Sequence, residues 1–318
     1  MFARSSWLVS AGALGAVCAL LAGCSSAGPS TAGKASPAGA TRPASASQPA
    51  AAGSSSPTGA VASPPAGAVA SPSAGPDQFT APLTVNNPLF PLAVGTQFTY
   101  QGRIVADGES KAHSVTFTVT DLIKTVDGVQ TVVAWDRDFL EGELQEQELA
   151  FFAQDNQGNV WNFGEYPEEY DAGKFTGAPS TWIRGADGAY GGIHVLSHPQ
   201  LGMKYREGLV PAIEFDDVSV VSRTGQQVCL AGHCYQRVLV VDETSPNDPT
   251  SGHQIKYYAP GTGLIKVGAR GGDSQEFLTL TGVRHLGPAD MAKIRAEVLA
   301  MDKRAYRVKV YRTTAPAH

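Results

Sequence analysis

Apolar and hydroxyl residues alternate along residues 115–120 (Val-Thr-Phe-Thr-Val-Thr), the period of a half-buried β-strand. Asp127-Gly128 then breaks the run, and a second apolar stretch over 131–135 follows, so this region predicts a hairpin. The same alternation of apolar run and turn recurs downstream. Residues 149–154 and 160–164 flank Asp155-Asn-Gln-Gly-Asn, and 254–258 and 264–267 flank Ala259-Pro-Gly-Thr-Gly. Residues 218–222 and 236–241 flank a loop with two cysteines, and 276–283 close the set. From Leu83 onward this predicts eight to eleven strands joined by short turns, hence antiparallel pairing without a βαβ rhythm. The period changes once. Over 288–306, Met291, Ile294, Val298, Met301 and Ala305 fall on one face of a helix, and Pro288 suits its first turn. The predicted fold is mainly β (α+β). It is a single curved antiparallel sheet or open β-barrel over 78–286, with one C-terminal helix and basic tail (287–318) packed on it. A membrane-surface role is the alternative for that helix, given Lys303, Arg304, Arg307, Lys309 and Arg312.

The first 77 residues show neither period. Arg4 precedes an apolar run from about Trp7 to Ala22, too short and too broken by Ser and Gly to read as a spanning helix. Residues 1–23 therefore read as a secretory signal peptide. Its exit, Leu21-Ala22-Gly23-Cys24, resembles the bacterial lipobox. That resemblance implies a diacylglycerol thioether on Cys24, acyl chains of the palmitate type, and cleavage just before it; an ordinary signal peptide with a chance Cys is the alternative. Two acyl chains hold a protein stably to a bilayer where one does not. In residues 25–77 only Lys34, Arg42, Gln48, Val61, Val69 and Asp77 differ from Ala, Ser, Pro, Gly and Thr. Such a segment buries too little apolar surface to order itself, so 24–77 reads as a lipidated Cys and a disordered tether. The expected location is the extracytoplasmic face of a cell membrane.

Charge and cysteine content narrow the classes. Charged residues are 17% of the 318 and the net charge is −5, so no basic field exists for nucleic acid. Of four cysteines, Cys18 leaves with the signal and Cys24 takes the lipid, leaving Cys229 and Cys234 for a disulfide in an oxidising compartment. His233 between them raises a metal alternative, but no second ligand pair exists in the sequence, and no metal or cofactor is expected.

Three stretches resemble a group of bacterial exported proteins with no established activity: Asn87-Pro-Leu-Phe-Pro-Leu with Gly95-Thr-Gln-Phe-Thr-Tyr, Ala153-Gln-Asp-Asn-Gln-Gly-Asn-Val-Trp-Asn-Phe-Gly-Glu, and Lys256-Tyr-Tyr-Ala-Pro-Gly-Thr-Gly-Leu-Ile-Lys. The resemblance implies export and carries over no catalytic residues. No nucleophile elbow, zinc helix, phosphate loop or dinucleotide fingerprint occurs. His194 and His198 read as solvated loop residues. The acids Asp136, Asp138, Glu141, Glu143, Glu146 and Glu148 read first as a solvated hairpin, with a cation or glycan site as the alternative. Trp161, Phe163, Tyr166, Tyr170, Phe175 and Trp182 crowd one stretch; core packing explains them, and a ligand groove lined by Trp161, Phe163, Tyr166, Tyr170 and Trp182 is the functional alternative. The leading expectation is a non-catalytic binding module for an apolar or glycan envelope ligand. A partner-docking structural lipoprotein comes second. A hydrolase using two carboxylates from 136–148 or 165–169 comes third.

Overall fold

The computed structural model of the protein describes residues 69–70 and 74–318. The signal segment, Cys24 and most of the tether lie outside the described residues.

Strand β1 (Val69–Ala70) comes first. A meander follows through β2 (Thr96–Ala106), β3 (Glu109–Val126), β4 (Val129–Leu140), β5 (Glu143–Gln154) and β6 (Val160–Asp171). Four short strands come next: β7 (Lys174–Gly177), β8 (Trp182–Ile183), β9 (Tyr190–Gly191) and β10 (Ile193–Val195). A second meander runs through β11 (Lys204–Val210), β12 (Phe215–Leu230), β13 (His233–Thr244), β14 (His253–Ala259), β15 (Gly263–Arg270) and β16 (Ser274–His285). Strand β16 returns to β2, with Ser274 opposite Ala106 and His285 opposite Thr96, and this pairing fuses both meanders into one sheet. Every pairing is antiparallel except β1 on β11.

The ladder does not close on itself. Its ends meet through residues 190–195, where the Asn162 amide donates to Gly192 O and the Gly192 amide donates to Glu207 O, both at 3.0 Å. The sheet is thus the expected curved antiparallel sheet with one C-terminal helix. Eleven of its strands have seven residues or more, the upper end of the expected number. The extra five are two to four residues long, too short to carry a period in sequence. The folded part also begins before residue 78, since Ala74 is buried and its carbonyl accepts from Arg184 Nη2.

Tight loops set the register. Asp107-Gly108, Asp127-Gly128, Glu141-Gly142, Ala172-Gly173 and Ala231-Gly232 all hold both residues at positive φ. That is the two-residue type I′ hairpin, whose twist matches the strands and whose second position favours Gly. Each loop therefore pins its partners, for example Val126 to Val129 and Leu140 to Glu143.

Helix α1 (Pro288–Ala305) buries Ile294, Val298, Met301 and Ala305, so the apolar stripe seen in sequence packs on the sheet. Asp302 is buried with them. It accepts from Lys124 Nζ at 2.6 Å and from Tyr311 Oη at 2.7 Å. The chain ends in the fold: Ile123 and His318 exchange backbone hydrogen bonds at 3.0 and 3.1 Å.

Candidate binding site on the inner face of the sheet

Residues opposite one another across a ladder share a face, and residues two apart on a strand share it too. Followed strand by strand, this rule separates two faces. The outer face carries Trp161, Phe163, Tyr166 and Phe151. The inner face carries Phe117, Phe152 and Tyr258 at one end and acids at the other. Asp136 stands opposite Glu148 and Asp138 opposite Glu146; Glu165 follows on β6, Glu207 on β11, Asp217 on β12, Glu243 on β13 and Glu276 on β16. All of these carboxyls are buried. The acids of the β4–β5 hairpin thus differ from the solvated hairpin expected: its ladder turns Asp136, Asp138, Glu146 and Glu148 inward, and only Glu141 and Glu143 at the turn stay exposed.

Two polar clusters result. In the first, His113 Nε2 lies 2.7 Å from Asp138 Oδ1, and its Nδ1 lies 3.2 Å from Glu276 Oε1. Gln254 Nε2 donates to Glu276 Oε2 at 3.0 Å. Burial, then the neighbouring carboxylates, push Asp136 and Glu276 well up. Burial also raises Asp138, although His113 opposes it. Asp136 Oδ1, Asp138 Oδ2, Glu276 Oε1 and Gln254 Oε1 are buried without a hydrogen-bond partner.

In the second cluster, Lys256 Nζ donates to Glu243 Oε2 at 2.6 Å and lies 3.7 Å from Glu207 Oε2. His194 Nδ1 is 3.2 Å from the same Glu207 oxygen. Ser219 Oγ donates to Glu207 and Ser245 Oγ to Asp217. Burial would lower Lys256, but Glu207 and Glu243 outweigh it and hold the ammonium charged. Burial, reinforced by Lys256, drives His194 down to about 3, so its imidazole is neutral. Glu165 accepts from Trp182 Nε1 at 2.9 Å and from Asn162; burial pushes it up to about 7. His194 is a strand residue of this cluster and not the solvated loop residue expected, because β10 pairs with β6 and turns it inward.

The aromatics singled out in sequence are not lined along one groove. Trp161 donates to Asp155 at 2.8 Å, and Trp161 and Phe163 meet Phe79 edge-on at 5.9 and 5.2 Å. Tyr166 and Tyr170 each donate to Glu168 at 2.8 Å, beside Arg304. Trp182 stacks on Phe215 at 5.8 Å. Trp161, Phe163 and Tyr166 belong to one core cluster and Trp182 to another. Cys229 and Cys234 face each other in the β12–β13 ladder and form a disulfide, Cα–Cα 4.0 Å, as expected. Cys24 lies outside the described residues. The inner-face acids on β11, β12, β13 and β16 escaped the sequence reading, because each strand carries only one or two acids among apolar or mixed residues.

No family model matches the chain, and no curated protein does. Two solved structures are similar to it. One is an exported-protein candidate with a YmcC-like fold from Bacteroides fragilis, 14% identical, covering 61% of this chain and 98% of its own, TM-score 0.33. The other is a lipoprotein candidate from Parabacteroides distasonis, 12% identical, covering 62% of this chain and 99% of its own, TM-score 0.29. At these scores neither superposition carries an argument about this chain.

Proposed function

We propose that the chain is a lipid-anchored extracytoplasmic protein whose β domain is a non-catalytic binding module for a polar envelope ligand, a glycan in preference to an apolar molecule. The observation that carries this reading is the inner face itself. Its buried carboxyls and Gln254 leave acceptors without partners, and buried acceptors are costly unless a donor reaches them. A sugar offers such donors and an acyl chain does not. At the apolar end of the same face, Phe90, Phe98, Tyr100, Phe117 and Leu264 line a cavity of about 10 Å³, room for one water at most. A hydrolase needs one carboxyl held charged beside another held neutral. Asp136, Asp138 and Glu276 are all pushed the same way, up, and Glu168, held down by Arg304, lies on the opposite face of the sheet from the raised Glu165, so these carboxyls form no such pair. The anchor rests on Leu21-Ala22-Gly23-Cys24.

Native mass spectrometry of the full-length protein, purified in detergent from a bacterial host, tests both parts. A diacylglycerol-bearing N-terminal Cys24 and a co-purifying glycan mass are expected, and Cys24→Ala should leave the membrane fraction. An unlipidated chain would remove the anchor. A bare chain that stays bare when soaked with envelope glycans would favour the partner-docking reading.

A further inference from the structure

Residues 303–318 hold five cations, Lys303, Arg304, Arg307, Lys309 and Arg312, and no Asp or Glu. Arg304 is engaged by Glu168 at 2.8 Å. Lys303, Arg307 and Arg312 are exposed and form no ion pair among the described residues. Lys309 is 85% exposed, and its ion pair with Asp187 is long, 3.7 Å, and itself in solvent. Such a surface pair contributes little. The segment is held with its cations outward: Tyr306, Val308 and Val310 pack on the core, and Arg307 and Lys309 between them face solvent. Cations at a helix C-terminus complement its dipole, and Arg312 serves that end, donating to the Tyr306 and Arg307 carbonyls at 2.8 and 3.2 Å. Arg307 and Lys309 lie past the end of α1 at Ala305, and their side chains bond no carbonyl, so capping does not account for them. The chain also enters the fold beside this segment. Ala74, at the domain end of the tether, is buried, and its carbonyl accepts from Arg184. Asp187, in the same turn as Arg184, is the residue that meets Lys309. Strand β8, which leads into that turn, packs against residues 310–313.

We propose that Lys303, Arg307, Lys309 and Arg312 form a membrane-facing surface that binds the anionic headgroups of the bilayer in which Cys24 is anchored. The inference rests on the lipid-anchor reading and adds an orientation to it: the side of the domain where the tether enters lies against the lipid. A tether keeps the surface at high effective concentration near the headgroups, so a few exposed cations suffice. The test uses the full-length protein reconstituted into vesicles, either phosphatidylcholine alone or phosphatidylcholine mixed with phosphatidylglycerol. Limited acetylation with a water-soluble amine reagent is read lysine by lysine by mass spectrometry. Lys303 and Lys309 are expected to react about fivefold more slowly on the anionic vesicles, while Lys111, near the opposite end of β3 from the Ile123–His318 pairing, reacts equally on both. High salt should restore both rates, because screening weakens an exposed contact. Arg307→Glu should restore them too; circular dichroism checks its folding, and Arg307→Gln carries the comparison should it not fold. Equal rates for Lys303 and Lys309 on the two vesicles overturn the proposal. So does a slowing shared by Lys111, or one that survives salt. Slowing on isolated cell envelopes but not on anionic vesicles would give the surface to an envelope polymer or protein and overturn the lipid assignment. A chain that does not float with phosphatidylcholine vesicles removes the anchor alone, and the same labelling with anionic vesicles in excess then decides the surface.

Discussion

Lys124 and Asp302 are both buried, 2.6 Å apart, with the ammonium 4.2 Å from the Tyr311 ring centre and also donating to Ala315 O at 2.9 Å. Burial pulls Lys124 down, and Asp302 pulls it back. Removing one partner of such a pair strands a buried charge. Asp302→Ala is therefore expected to lower stability by about 3–5 kcal/mol in urea denaturation, whereas Lys124→Met with Asp302→Leu should recover most of the loss. Glu165 makes a pH-dependent contribution. Its carboxyl is pushed from the ordinary 4.5 up to about 7, so the folded state binds its proton more tightly than the unfolded state does. That stability is present at pH below about 4.5 and is lost as pH rises through about 7. Urea midpoints at pH 5 and pH 8 should differ less in Glu165→Gln than in the parent; an unchanged difference would show that Glu165 does not titrate in this range. The residue types of the site were visible in the sequence, and the hairpin acids were picked out there. Their burial was not, because a run of Glu and Gln reads as solvated until its partner strand is known.

At the level of elements, the loops were the most legible part. An X-Gly pair between alternating runs needs positive φ at both residues, and the chain supplies Asp127-Gly128 and Ala231-Gly232 where hairpins form. The second of these loops carries the Cys229–Cys234 bridge, which closes a short loop on strands already in register. Replacing both with Ser should cost at most about 2 kcal/mol in thermal or urea melts and leave the far-ultraviolet spectrum unchanged. A larger loss would mean that the hairpin tip supports more of the fold than its exposure suggests. Helix α1 was legible for the same local reason, its 3.6-residue stripe, but the inward Asp302 was not, since its partner Lys124 sits on a distant strand.

Across the whole molecule, a seam at residues 190–195 joins the sheet's two ends. Gly192 lies there with its amide and carbonyl both used, one on each side. A Cβ at Gly192 would collide with the Arg206 carbonyl and Glu207 backbone. Gly192→Val is expected to part the seam, lowering stability by about 1–3 kcal/mol and speeding amide hydrogen exchange in residues 160–166 and 204–210. Unchanged exchange there would show that the meanders hold the shape without the seam. No sequence signal marks this contact, because neither β9 nor β10 exceeds three residues.

The sequence by itself determined the β class, the antiparallel hairpins, the single helix and the cysteine bridge. Each depends on a period or a turn contained within about twenty residues. Only the tertiary structure decided which face of the sheet is enclosed and which acids meet on it. Asp138 and Glu276 come together through the return of β16 to β2 and the register of two further ladders, and His194 joins Glu207 only because the seam brings β10 and β11 side by side. Local pattern sets what each strand can present. Long-range register, fixed by burial of the remaining core, sets what it faces.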